Sequence, residues 1–455
     1  MGLLPTSLYT WLMGQGFPKD FLLGVATSAY QIEGSPLADG AGPSNWHVWC
    51  QQPGRIFEGH TGEVACDHYR RYREDVALMA QLGVEAYRFS VAWSRVLPEG
   101  VGAVNPRGLD FYQRLVDELL KAGIGPMVTL FHWDLPQALA ERGGWANPDT
   151  ARYFADYAGV VFRALQDRVS LWATLNEPWV VMDAGYVHGV HPPGLRDPKL
   201  ALRVAHHLLL GHSLAVQQGR ALGVGQVGLV VNLEPKAAAS EADRQAQERA
   251  HAYQNQWFLD PLFFGRYPPQ AEEAWGPFWE ELDASPLSQG KPDFVGINYY
   301  TRGVVGHDPG APPPFVRRLS PPPERSTAMG WEVYPQGLAE AVLWVQERYG
   351  ALPLYITENG AAFPDPEPQQ GRVRDPQRVA YLREHLQVVA GLLAQGVNLK
   401  GYFVWSFLDN FEWSFAFSKR FGLVFVDFAT QKRTVKDSGW FYRDVLASRG
   451  ANLTG

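Results

Sequence analysis

Two carboxylates stand out for where they sit. Glu177 ends the apolar run "LWATLNEPWV" and Glu358 ends "LYITENG". A strand that simply met solvent would close on Gly, Ser or Asp. These two close on Asn176–Glu177 and on Glu358–Asn359. A pair of carboxyl groups facing each other can split a glycosidic bond. One attacks the anomeric carbon while the other protonates the leaving oxygen and later deprotonates water. That retaining chemistry requires a separation of roughly 5–5.5 Å and environments that drive the two pKa values apart.

Other residues with the right chemistry fall at corresponding positions. Gln31 and Glu33 follow the first apolar run, and His132, Trp133 and Asp134 the third. Asn298 and Tyr300 end the sixth, and Trp405, then Glu412 and Trp413, follow the eighth. Sugar hydroxyls need donors and acceptors, and the apolar face of a pyranose needs an aromatic platform. Taken singly, each residue has a plain structural reading. A strand-end Glu is more often an ion-pair partner, a lone His a satisfied structural group, and a Trp core packing. Their coincidence at the ends of successive elements outweighs those readings.

The elements that must position them read as follows. Eight short apolar runs begin at Phe21, Glu85, Gly125, Leu171, Val227, Asp293, Leu354 and Lys400. Several are nearly continuous rather than alternating, as expected of parallel strands covered on both faces. Helical patterns separate them. "DHYRRYREDVALMAQLG" places Tyr72, Val76, Met79 and Ala80 on one face and stops at Gly83. "NPRGLDFYQRLVDELLKAG" places Leu109, Tyr112, Leu115, Val116, Leu119 and Leu120 inward, and "DPQRVAYLREHLQVVAGLLAQG" repeats the design. Alternating strands and helices predict an α/β fold: a single (β/α)8 TIM barrel, with an open doubly wound sheet as the alternative. The whole chain, 1–455, reads as one catalytic domain with an N-terminal extension over 1–16. Two long connections, 35–67 and the Pro-rich 307–331, follow strands. They are predicted to lie at the C-terminal face, where barrel enzymes keep their sites.

Composition narrows the field. Of 455 residues, 46% are hydrophobic and 19% charged, which suits a large core and excludes bulk disorder. A net charge of −7 without a basic block argues against nucleic acid. No apolar run is long enough to span a bilayer, and the N-terminus lacks the pattern of a signal peptide, so the expected location is the cytoplasm. Cys50 and Cys66 stand without ligand spacing, so no metal is expected. "GVGQVG", 223–228, matches a dinucleotide-loop pattern but follows a helix and precedes a strand, the reverse of what a nucleotide loop needs. It reads as a helix stop.

The chain resembles glycoside hydrolase family 1, the retaining β-glucosidases and β-glycosidases. "FLLGVATSAYQIEG", "TLFHWDLPQAL", "TLNEPW", "GINYY", "ITENG" and "WSFLDNFEW" look like that family's motifs in its order, from about Phe17 to Val445. The resemblance implies Glu177 as acid/base and Glu358 as nucleophile. It implies Asn176 on the sugar 2-hydroxyl, and Gln31, His132, Trp133, Glu412 and Trp413 on the other hydroxyls. Trp405 would be the stacking platform. Arg88 and Tyr300 would orient and charge-balance the nucleophile with Asn298 nearby, and Trp331 would flank the leaving group. The implied reaction is cofactor-free hydrolysis of a terminal β-glucoside, galactoside or fucoside, in carbohydrate and cellulose breakdown. Members acting on 6-phosphorylated sugars carry Ser at the position of Glu412 and a Lys and a Tyr shortly after. Lys419 matches, but Glu412 and Phe421 do not, so an unphosphorylated sugar is expected. An endo-acting glycanase and a non-catalytic sugar-binding barrel are the competing readings. The first would need an open groove, and the second would need no carboxylate pair.

Overall fold

The structure is a computed structural model, and it describes residues 16–454. The expected N-terminal extension at 1–16 falls, apart from Gly16, outside them. The eight apolar runs form eight parallel strands: β1 (Leu22–Ala26), β2 (Ala86–Ser90), β3 (Gly125–Phe131), β4 (Leu171–Asn176), β5 (Gln226–Asn232), β6 (Val295–Asn298), β7 (Leu354–Asn359) and β8 (Leu399–Trp405). Each pairs with its sequence neighbours, and β8 pairs with β1 to close the barrel. The open-sheet alternative is therefore excluded.

A helix follows each strand on the outside: α1 (His68–Gln81), α2 (Pro106–Lys121), α3 (Asp149–Leu165), α4 (Pro198–Leu222), α5 (Arg244–His251), α6 (Gln336–Tyr349), α7 (Pro376–Ala394) and α8 (Asp437–Ser448). α4 shows the local logic. Asp197 caps its start by accepting from the Leu200 N–H at 3.0 Å, Pro198 occupies the first turn, and Gly223 at φ +67° ends it. "GVGQVG" is thus a helix stop that feeds β5.

Two helical faces differ from expectation by one position. Ala80 and Leu120 are exposed, Leu120 at 42%, and Phe111 is buried. The core stripe of α2 runs Gly108, Phe111, Tyr112, Leu115, Val116, Leu119, a spacing of three and four that leaves Leu120 outside.

Strand alternation separates two cores. Leu23, Val25, Tyr87, Phe89, Val128, Leu229, Val231, Tyr402 and Val404 pack outward against the helices. Ala26, Ala86, Met127, Ala173, Val230, Phe294, Tyr355 and Phe403 fill the barrel interior. The fill is tight: a Cβ on Gly228 would sit 2.5 Å from the Phe294 ring. The interior is therefore a plug beneath the mouth, not a pore.

The long connections add elements the sequence did not reveal. Lys236–Ala238, Gly303–His307 and Val316–Arg318 make a three-stranded sheet, and Val424–Val426 pairs with Arg433–Val435. Among the described residues no helix is long and apolar enough to cross a membrane.

Candidate active site

β4 and β7 each break alternation just before their carboxylate. In β4 Leu171 and Ala173 face inward. The register with β5 then shifts between Ala173 and Asn176, so Leu175 joins the outer core and Asn176 turns in. In β7 the register with β6 shifts between Ile356 and Glu358, which brings Glu358 inward. Such irregularities re-aim side chains beside functional sites. Glu177 follows with φ +49°, Trp133 sits at +81° and Trp413 at +48°. A positive φ is uncommon for such residues and costs about 1–3 kcal/mol, so the surrounding structure must impose it.

These residues meet in a cavity of about 300 Å³ at the C-terminal mouth. Its walls include Gln31, His132, Trp133, Glu177, Asn298, Tyr300, Trp331, Glu358, Trp405, Glu412 and Trp413. Asn176 and Arg88 lie in the layer beneath, fully buried and bonded to those walls. Arg88 is the hub. Its guanidinium donates to Glu358 Oε1 at 2.8 Å, to Asn176 Oδ1 at 2.6 Å and to Thr129 Oγ1 at 3.1 Å. The Tyr300 hydroxyl donates to Glu358 Oε2 at 2.5 Å. Asn298 Nδ2 donates to Glu177 Oε1 at 2.7 Å and to Asn176 Oδ1 at 3.1 Å, with its own carbonyl held by the Thr357 hydroxyl at 2.7 Å.

The two carboxylates live in different surroundings. Burial, then the charge of Glu358, pushes Glu177 up to about 8, against one opposing hydrogen bond from Asn298. Burial also raises Glu358, but Arg88, Tyr300 and Asn298 all pull it back. Of the two, Glu177 is therefore the one that keeps its proton near neutral pH, and the groups that favour a charge gather on Glu358. Glu412 is pushed up to about 8 by burial and by Glu358, with Gln31 opposing. Burial and the neighbouring Arg88 hold His132 well below its usual range, so it is a neutral imidazole.

The aromatic wall is continuous. Trp413 packs on Trp46 and Trp133 with ring centres 4.5 and 4.7 Å away, and Trp405 stacks on His132 at 5.7 Å. Trp331 reaches Tyr300 at 5.2 Å from the Pro-rich connection.

Three strand-end residues do not join the cavity. Glu33 is consumed by Arg95 at 2.8 Å and the Tyr112 hydroxyl at 2.8 Å. Asp134 faces a separate small void beside Glu33. Asn359 turns outward to Tyr381, Tyr402 and the Tyr299 carbonyl. The same register shift that brings Glu358 in sends its neighbour out.

Sequence reasoning also missed wall residues. Asn232, Leu233 and Glu234 end β5 and line the cavity, and the strand-end rule itself would have found them. Trp179, Gln254, Arg318, Met329 and Phe415 come from the short segments of the long connections, too brief to carry a periodic signal. Among the described residues no cluster of His, Cys, Asp or Glu could hold a metal ion.

Known proteins share this architecture. The family model for glycosyl hydrolase family 1 matches residues 13–451. β-Glucosidase A of Thermotoga maritima is 50% identical, over 95% of this chain and 98% of its own. The bifunctional β-D-glucosidase/β-D-fucosidase of Bifidobacterium breve is 41% identical, over 96% and 99%. A solved structure of the Thermotoga maritima β-glucosidase in complex with castanospermine superposes with a TM-score of 0.92 at 48% identity, covering 95% of this chain and 99% of that one. With a family model spanning nearly its whole length, this chain belongs to glycosyl hydrolase family 1.

Proposed function

We propose that this protein, a single catalytic barrel, is a retaining exo-β-glycosidase that removes the terminal nonreducing sugar from a small β-glucoside or oligosaccharide. The observation that carries this reading is the buried pair Glu177 and Glu358, joined through Asn298, Asn176 and Arg88, with a guanidinium and a phenol donating to Glu358 and one amide to Glu177. Glu177 gives its proton to the glycosidic oxygen as Glu358 attacks the anomeric carbon, and the leaving group departs as an alcohol. A glycosyl–enzyme ester remains on Glu358. Glu177, now a carboxylate, takes a proton from water, whose oxygen attacks the same carbon and frees Glu358. Two inversions give net retention.

Asn176 takes the 2-hydroxyl from beneath, with its own carbonyl already committed to Arg88 and Asn298. Trp405 offers the stacking face, and Gln31, His132, Trp133, Glu412 and Trp413 surround the remaining hydroxyls. The modest cavity favours one sugar at a time over an open groove. Trp331, Trp179 and Arg318, on the cavity wall, would flank the leaving group. The names of the relatives support glucose first and fucose as an accepted alternative.

A phosphorylated sugar would meet the carboxyl of Glu412. Lys419 is turned away, donating to the Ala328 carbonyl at 2.8 Å, and Phe421 brings no hydroxyl to the wall. Both cysteines are free and buried, in keeping with a reducing cytoplasm. The test is Glu358→Ala on an aryl β-glucoside. Turnover should fall at least about 10³-fold with the fold intact. Wild-type turnover in that variant would remove Glu358 from the nucleophile's role.

A further inference from the structure

At the inner end of the cavity the side-chain amide of Gln31 is held from several sides. Its Nε2 donates to the Phe411 carbonyl at 2.9 Å. A second N–H is shared between Asn410 Oδ1 at 3.1 Å and Glu412 Oε2 at 3.4 Å. Its Oε1 accepts from the Ser28 hydroxyl at 2.6 Å. Ser28 and Asn410 are buried and do not line the cavity.

The polarity of this cluster is not free to reverse. Asn410 Nδ2 donates to the Leu408 carbonyl and to Ser406 Oγ, both at 3.1 Å, and Ser406 in turn donates to the Ala26 carbonyl at 3.2 Å. Backbone carbonyls accept and never donate. Leu408 therefore fixes which end of Asn410 faces Gln31, and Phe411 fixes which end of Gln31 faces the backbone. A flipped Gln31 would set its carbonyl against the Phe411 carbonyl and leave both without a proton.

We propose that Ser28 and Asn410 are positioning residues that lock the Gln31 amide in one orientation and thereby set the pocket's preference between epimeric sugars. This rests on the reading of Gln31 and Glu412 as contacts to sugar hydroxyls. The 3.4 Å contact is the weakest bond of the cluster and the one a hydroxyl replaces. That hydroxyl accepts from Gln31 and hands its own proton to the next acceptor. With the amide locked, donors and acceptors face the sugar in one fixed order. An equatorial and an axial hydroxyl meet that order differently. Without Ser28 or Asn410 the amide keeps its polarity at Phe411 but swings about that one bond, so either epimer can find a partner and the pocket discriminates less.

The experiment compares kcat/KM for p-nitrophenyl β-glucoside and β-galactoside in Ser28→Ala, Ser28→Thr, Asn410→Ala and Gln31→Ala, with thermal midpoints recorded for each. Ser28→Ala and Asn410→Ala should move the glucoside-to-galactoside ratio toward unity by about five- to twentyfold, mainly through KM, the range expected for loss of one orienting hydrogen bond. Ser28→Thr keeps the hydroxyl and should keep the ratio within about twofold of wild type, on the same reasoning. If Asn410→Ala does not fold, the Ser28 pair decides. An equal loss on both substrates, or an unchanged ratio in Ser28→Ala while Gln31→Ala collapses activity, would overturn the lock and leave the pocket reading intact. Full activity in Gln31→Ala would overturn the pocket role of Gln31 and the lock with it.

Discussion

The division of labour between Glu177 and Glu358 follows from their donors. Glu358 receives a guanidinium and a phenol, whereas Glu177 receives one amide and the repulsion of its partner. Glu177→Ala should therefore cost about 10²–10⁴-fold on an alkyl β-glucoside, whose leaving group needs a proton. A dinitrophenyl glucoside, whose leaving group needs none, should keep most of its rate in the first step. Parallel assays on the two substrates test this, and equal losses would contradict the assignment. The pH profile should be a bell. Glu177 must hold its proton, so activity falls as pH rises through about 8. Glu358 must be ionised, so activity falls on the acid side as its raised pKa is crossed. In Glu358→Gln the repulsion is gone, and Glu177 should titrate below its wild-type value, readable by carboxylate NMR or infrared titration.

At the scale of elements, alternation explains what the sequence revealed and what it hid. Eight apolar runs located the strands, and the residues at their ends located the mouth. The register shifts in β4 and β7 could not be read from composition, because a strict period of two would place Leu175 and Asn359 inside instead of Asn176 and Glu358. Asn359, named beside Glu358 only as a strand-end residue, belongs to the outer packing. The wall contributed by Arg318, Met329 and Phe415 is illegible because a three-residue strand, a turn and a single 3-10 segment are too short to show a period.

One cluster holds the segment that carries Glu412 in place. Asp409, three residues before Glu412, accepts from Lys436 and Arg420, each at 2.6 Å. Lys436 and Arg378 reach Asp365, and Arg378 also reaches Asp375, tying the β7 and β8 connections to the starts of α7 and α8. Burial alone would raise the Asp409 carboxyl, but Lys436 and Arg420 outweigh it and hold it below the usual range. Asp409→Asn leaves the buried Lys436 and the half-buried Arg420 short of charge and should cost about 3–5 kcal/mol in denaturant unfolding. A loss under about 1 kcal/mol would mean the cluster relaxes around the change.

For the whole molecule, the site works against stability. Glu177 and Glu412 both have folded-state pKa values of about 8, raised above their unfolded values. The folded chain holds these protons after the unfolded chain has released them. Their contribution is thus most favourable below the ordinary carboxylate range and is lost as pH rises through about 8. Thermal stability of the ligand-free protein should decline across that window. Glu412→Gln removes one such group, so it should raise the unfolding midpoint at pH 8.5 and change it little at pH 5, at the expense of sugar binding. A gain of the same size at both values would place the effect in packing.

The account depends most on two inversions at one carbon. Proton NMR of a fresh digest of an aryl β-glucoside, recorded before mutarotation, reads that directly. The β-anomer of glucose should appear first, with the α-anomer growing in only as the sugar equilibrates. The α-anomer as the initial product would mean a single displacement by water, and Glu358 could not be a nucleophile.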